Sequence, residues 1–296
     1  MFHQTYQFLR NAYLGNVEPS EMYQVLSQES DPFLHSKLKD FSQTNPVKAS
    51  WDQTVYTTEF RSGDPRQRLH ETVMTFLLRM SVIIKDQYHY RTFFKPASHK
   101  AMQGWLNLLK LSTTTLFTLL YRVKWNLPLL YELDQVLFEV IFEGKASALR
   151  EFMNQRLSLE VPETPAERTF EKFKYFHIGI IGSSIWRLLH WVAEAMDERD
   201  NDDEMKFAQH TWRIILTEPF YRILLCGMCV RHMHTIVKEL QPQILDEATQ
   251  QRQLWFNIHN KVTARKFQDF SGEDPPLYSE SELDQDSNFM RRGLVP

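Results

Sequence analysis

The chain is poor in cysteine. Cys226 and Cys229 are the only two among 296 residues, so a disulfide framework is excluded and the fold must rest on a hydrophobic core. Glycine is also scarce, at 9, while phenylalanine reaches 21, a balance that suits large helical interiors. An excess of one charge is missing. The net of −3 gives no general reason to expect nucleic acid or a membrane surface as partner. Long apolar runs are missing too, and the longest, such as Thr115-Leu116-Phe117-Thr118-Leu119-Leu120, fall far short of a bilayer span. Met1 to Leu14 carries scattered polar residues and does not read as a signal peptide. These absences predict a soluble, intracellular protein. In a reducing compartment a close cysteine pair is catalytic or metal-binding more often than structural.

Regular alternation of apolar and polar residues is absent as well. β-branched residues are scattered, so no sheet is expected and the fold class is all-α. Residues 1–45 read as short helices, and 46–67, with Pro46, Gly63 and Pro65, as irregular. The apolar spacing of Val73, Phe76, Leu77, Met80 and Ile83-Ile84 predicts a long helix from Leu69 to about Tyr90. Further helices are expected over Ser98–Leu111, Thr113–Val123, Pro128–Phe142 and Ala146–Leu157. Glu160-Val161-Pro162-Glu163-Thr164-Pro165 interrupts both periodicities and is the expected domain boundary. It divides an N-terminal helical domain (1–160) from a second helical domain (166–270). Residues 271–296 read as an acidic, solvated tail, in which Glu273, Asp274, Glu280, Glu282, Asp284 and Asp286 would repel one another. The closing Gly293-Leu294-Val295-Pro296 resembles the front of an engineered cleavage linker.

What is present concentrates in the second half. Cys226-Gly227-Met228-Cys229 has the spacing to close a disulfide across the first turn of a helix, and Val230 to Leu240, free of Gly and Pro, reads as that helix. A thiolate near a helix N-terminus is stabilised by unpaired N–H groups and the dipole. Arg222 and Arg231 add positive charge. Upstream, Gly182-Ser183-Ser184-Ile185-Trp186-Arg187-Leu188-Leu189-His190 puts Trp186, His190 and Ala193 on one helical face, with Gly182 near the helix start to admit a flat group. Downstream, Trp255, His259, Val262 and Lys266 form one stripe, and Asn260, Thr263 and Phe267 the next. Trp and His rings can stack on flat rings, His and Asn can bond heteroaromatic edges, and Lys and Arg can pair with a pyrophosphate. Those are the needs of a flavin dinucleotide.

G-x-x-x-W-x-x-L-H, then C-x-x-C, then H-N-x-V resembles the Erv/ALR family of FAD-dependent sulfhydryl oxidases, over roughly residues 170–270. The chain is most similar to the viral branch typified by the baculovirus sulfhydryl oxidases. The resemblance implies a four- or five-helix FAD-binding bundle and a thiol oxidase that makes disulfides in substrate proteins while reducing O2 to H2O2. By that resemblance Cys229 lies against the flavin and Cys226 meets the substrate thiol. Gly182, Trp186 and His190 contact the cofactor from the first helix. His259 and Asn260 contact its adenine part, and Val262, Thr263 and Lys266 continue that turn. Trp255 and Tyr221 join the candidate cofactor set as aromatic residues beside these motifs, and no metal is expected. The resemblance further implies a homodimer acting on protein thiols and O2, located in the host-cell nucleus or cytoplasm and in virions, with no nucleic-acid or membrane partner. The family commonly has a second Asn where Thr263 stands and a Trp where Leu254 stands, and no second cysteine pair is present to act as a shuttle.

Plainer readings stand beside these. Cys226, Cys229, His232 and His234 could belong to a zinc module, although two residues between the pairs is far short of finger spacing. Trp186, Trp255, His190 and His259 could each be core residues taken singly. Phe220-Tyr221 fits core packing as well as packing over a flavin. A helical virion or scaffold protein with an inactive flavin site is a further alternative. His99 to Leu109 faintly echoes the Gly/Trp helix of the second half. A degenerate copy of the bundle is one reading of it, and an ordinary amphipathic helix the other.

Overall fold

In a computed structural model, residues 65–94, 99–164, 167–168, 170, 178–198, 202–217, 220 and 227–270 are described. The expected helices of 1–45, the acidic tail, Tyr221 and Cys226 lie outside them. The described residues are all-helical, as the lack of alternation predicted. The helices are α1 (Pro65–Phe94), α2 (His99–Tyr121), α3 (Leu127–Phe138), α4 (Ala146–Leu157), α5 (Ile178–Asp197), α6 (Asp203–Thr217), α7 (Gly227–Leu245) and α8 (Gln251–Phe270). A π-helical turn, Glu139–Glu143, extends α3.

Several boundaries differ from the expected ones, each for a physical reason. Residues 65–67 are helical, because Pro65 stands in the first turn, where its missing N–H costs nothing. The expected break at Ser112 does not occur, and α2 runs unbroken to Tyr121. The hydroxyls of Thr113 and Thr114 turn back onto their own helix, bonding the carbonyls of Leu109 at 2.8 Å and Lys110 at 3.0 Å. The helix expected to reach Phe142 widens into the π turn and stops at Gly144, whose φ of 73° is the left-handed cap glycine favours. Asn126 starts α3 by accepting the N–H of Leu129 at 3.0 Å, with Pro128 in the first turn. α7 continues beyond Leu240 and through Pro242.

The core crosses the 160–165 stretch. α1 packs on α2, on α5 and on the π turn, and α2 packs along α6. Phe76 of α1 stacks on Phe220 at 5.9 Å between centroids and meets Trp212 of α6 edge-on at 6.1 Å. Phe220 is thereby a core residue, buried to 2% exposure. α1 is enclosed on every side from Leu69 to Val82, so its polar groups are buried with its apolar ones. Two ion pairs, Arg122 with Glu198 and Lys124 with Asp202, tie the loop after α2 to the loop after α5.

Candidate functional site

The site grows from the pairing of α5 with α8. These helices run antiparallel: Asp197 of α5 meets Gln251 and Arg252 of α8, and two turns away His190 meets His259. α5 has the apolar face needed to bury against α1, α2 and α8, with Leu188, Leu189, Val192 and Ala193 wholly enclosed. Trp186 and His190 lie on its α8-facing edge, one turn apart.

Three rings converge there. The Trp186 indole and the His259 imidazole stack, with centroids 4.1 Å apart and planes only 10° from parallel. His190 tilts against His259 at 5.2 Å and 42°. Its Nε2 lies 3.0 Å from Nδ1 of His259, a hydrogen bond in which one ring donates N–H and the other accepts. Burial pushes His190 down to about 4. Burial, and then the charge His190 would carry, push His259 down to about 3. Both imidazoles are therefore neutral at physiological pH. His190 Nδ1 is buried and has no hydrogen-bond partner among the described residues.

The other expected residues divide into groups. Val262 packs half-buried against the core. Asn260, beside His259, is half-buried. Trp255 is fully enclosed one turn before His259, with its indole Nε1 unpartnered among the described residues. Gly182 lies in α5 as its fifth residue, in the second turn rather than at the start. Thr263 and Lys266 lie on α8, one and two turns beyond His259, and their side chains are outside the description. Cys229 is the third residue of α7, inside the first turn as expected, and its side chain too is outside the description. α7 packs against both α6 and α8.

Sequence reasoning missed what holds α5 to α8. The Asp197 carboxylate accepts the first two N–H groups of α8, from Gln251 at 2.7 Å and from Arg252 at 2.8 Å. One turn along, Glu194 pairs with Arg252 at 3.2 Å. An acid in the last turn of a helix opposes the dipole preference for cations there. That misfit is the one sign of the arrangement in the sequence.

No curated protein and no solved structure matches the chain. Residues 183–273 match the model of the Erv1 / Alr family, so the second half carries an Erv1 / Alr family domain. It opens just after Gly182 and encloses the ring cluster, the two cysteines and the His259-Asn260 pair.

Proposed function

We propose that this chain is an FAD-dependent sulfhydryl oxidase that forms disulfides in substrate proteins at the expense of O2. Erv1 / Alr proteins are generally FAD-linked oxidases of this kind, and the match takes in the second half's motifs apart from Gly182. The observation that carries the reading is the ring cluster: Trp186 and His259 nearly parallel, beside a buried imidazole nitrogen of His190 with no partner among the described residues. Those features fit a flat heteroaromatic group. An orphaned buried nitrogen is costly until something bonds it, and neutral imidazoles can donate or accept at a heterocycle edge.

In this reading Trp186, His190, His259, Asn260 and Val262 hold the cofactor, together with Gly182, Trp255, Thr263, Lys266 and Tyr221. A substrate thiolate attacks Cys226, forming a mixed disulfide and releasing Cys229 as thiolate. A second substrate thiol then displaces Cys226, so the substrate leaves as a disulfide and the pair is left as a dithiol. Position in the first turn of α7 supports Cys229 as the ionised member, because free N–H groups and the dipole favour negative charge there. FAD, when bound, would supply the two-electron acceptor for the Cys226–Cys229 dithiol, with O2 as the final acceptor and H2O2 as product.

An absorbance spectrum of the purified protein, with and without added FAD and dithiol, tests this. A flavin band that bleaches with dithiol and returns in air is expected. Cys226→Ala and Cys229→Ala should each abolish thiol-dependent O2 consumption with helicity unchanged. A protein that stays colourless after FAD addition, or that holds zinc on its cysteines, would overturn the reading.

A further inference from the structure

The ring cluster is built from two helices, so it depends on how far α5 and α8 are slid along one another. Trp186 and His190 come from α5, and His259 from α8. The base of the pair is the Asp197 cap on Gln251 and Arg252, with the Glu194–Arg252 ion pair one turn in. From Asp197 back to His190, and from Gln251 forward to His259, the helical rise is about 10.5 Å and about 12 Å. The two paths agree closely enough that fixing the base brings the imidazoles into hydrogen-bond range. A slip of one turn, about 5.4 Å, would part them.

We propose that Asp197 is a positioning residue: by clamping the N-terminus of α8 to the C-terminal end of α5, it sets the register that stacks Trp186 on His259 and joins His259 to His190. The proposal rests on reading that cluster as the cofactor site. The clamp is specific in its chemistry. Each carboxylate oxygen takes one of two consecutive N–H groups, 2.7 and 2.8 Å away. An Asn offers one acceptor in place of two, and an Ala offers none. Burial pushes the Asp197 carboxyl up, while the N–H groups of Arg252 and Gln251 and the charge of Arg213, buried on α6, favour its ionised form. Asp197 touches none of the three rings. Its effect on them passes through the backbone of α8.

Imidazole 15N resonances of the full-length protein without added cofactor, paired with FAD titration, test this. In Asp197→Ala the hydrogen-bonded His190–His259 signal should be lost, and FAD affinity should fall about tenfold, the size expected for losing a helix cap. Asp197→Asn should move both readouts the same way by less. Asn126→Ala is the control, because it removes a cap of the same kind from α3. It should lower thermal stability while leaving the imidazole signal and FAD affinity as in wild type. Should Asp197→Ala not fold, Asp197→Asn carries the test. Unchanged imidazole resonances in the folded Asp197 variants, or equal changes in Asn126→Ala, would overturn the proposal. If the wild-type protein takes up no FAD, the oxidase reading fails, while the imidazole comparison still decides the role of Asp197.

Discussion

At the scale of single residues, the histidine pair makes the sharpest statement. Two imidazoles share one hydrogen bond in a buried place, and both are held neutral. The unfolded chain takes up protons at these residues below about pH 6.5, whereas the folded chain resists until about 4 at His190 and about 3 at His259. Stability contributed by the pair is thus complete above pH 6.5, falls as the pH drops toward 4, and levels off below 3. Each pKa unit is about 1.4 kcal/mol, so the loss should be on the order of a few kcal/mol. Urea unfolding at pH 7, 6, 5 and 4 measures it, and a His190→Gln/His259→Gln variant should show a flatter profile. Spacing alone placed Trp186 and His190 on one face, because they stand one helical turn apart. Their meeting with His259 was not readable from periodicity. The resemblance implied only that all three contact one cofactor, and the structure adds that the rings touch. Asp197 was legible only as an acid in the last turn of a helix, since nothing in a local window says which distant backbone a carboxylate will cap.

Helices show the limits of reading local patterns. Ser112 reads as a break between helices over Ser98–Leu111 and Thr113–Val123, and a hydroxyl side chain there competes with helical bonding in isolation. Inside the core the hydroxyls of Thr113 and Thr114 return to carbonyls of the same helix, while those of Ser112 and Thr115 are buried with no partner among the described residues. Thr113→Val should therefore change stability by less than about 1 kcal/mol, because the Leu109 carbonyl keeps its backbone partner. Thr118 differs. Its hydroxyl donates to the Val123 carbonyl at 3.2 Å and accepts Trp125 Nε1 at 3.2 Å, fastening the loop that leaves α2. Thr118→Val should cost about 1–2 kcal/mol, since a buried acceptor loses its donor and the loop loses its tie. Denaturant midpoints of the two variants, measured side by side, separate hydroxyls that merely back-bond from one that joins elements. Ala146–Leu157 was predicted to the residue, being bounded on both sides by residues in turn conformations. The helix before it was expected to end at Phe142, one residue short of the π turn's last residue, and its change of winding at Glu139 was missed because a π turn has no signature in apolar spacing.

On the scale of the whole molecule, the question is whether 160–165 separates two folding units. Two prolines and two acids gave it the composition of a linker, but composition says nothing about what the flanking helices bury against. α1 and α2 lie before it, α5 and α6 after it, and all four contribute to one apolar interior. The Phe76–Trp212–Phe220 cluster spans that joint, with Phe76 at 3% exposure and Trp212 at 0%. Among the described residues no helix is long and apolar enough to cross a membrane. Phe76→Ala opens a cavity at the joint and should cost about 3–5 kcal/mol. Because the two sides share that core, the loss should appear as one cooperative transition shifted to lower denaturant. Far-UV circular dichroism, which sees every helix, and tryptophan fluorescence should report the same midpoint in wild type and in the variant. Two separated transitions, with only the first moved by Phe76→Ala, would mean that α1 and α2 lean on a second half that stands without them.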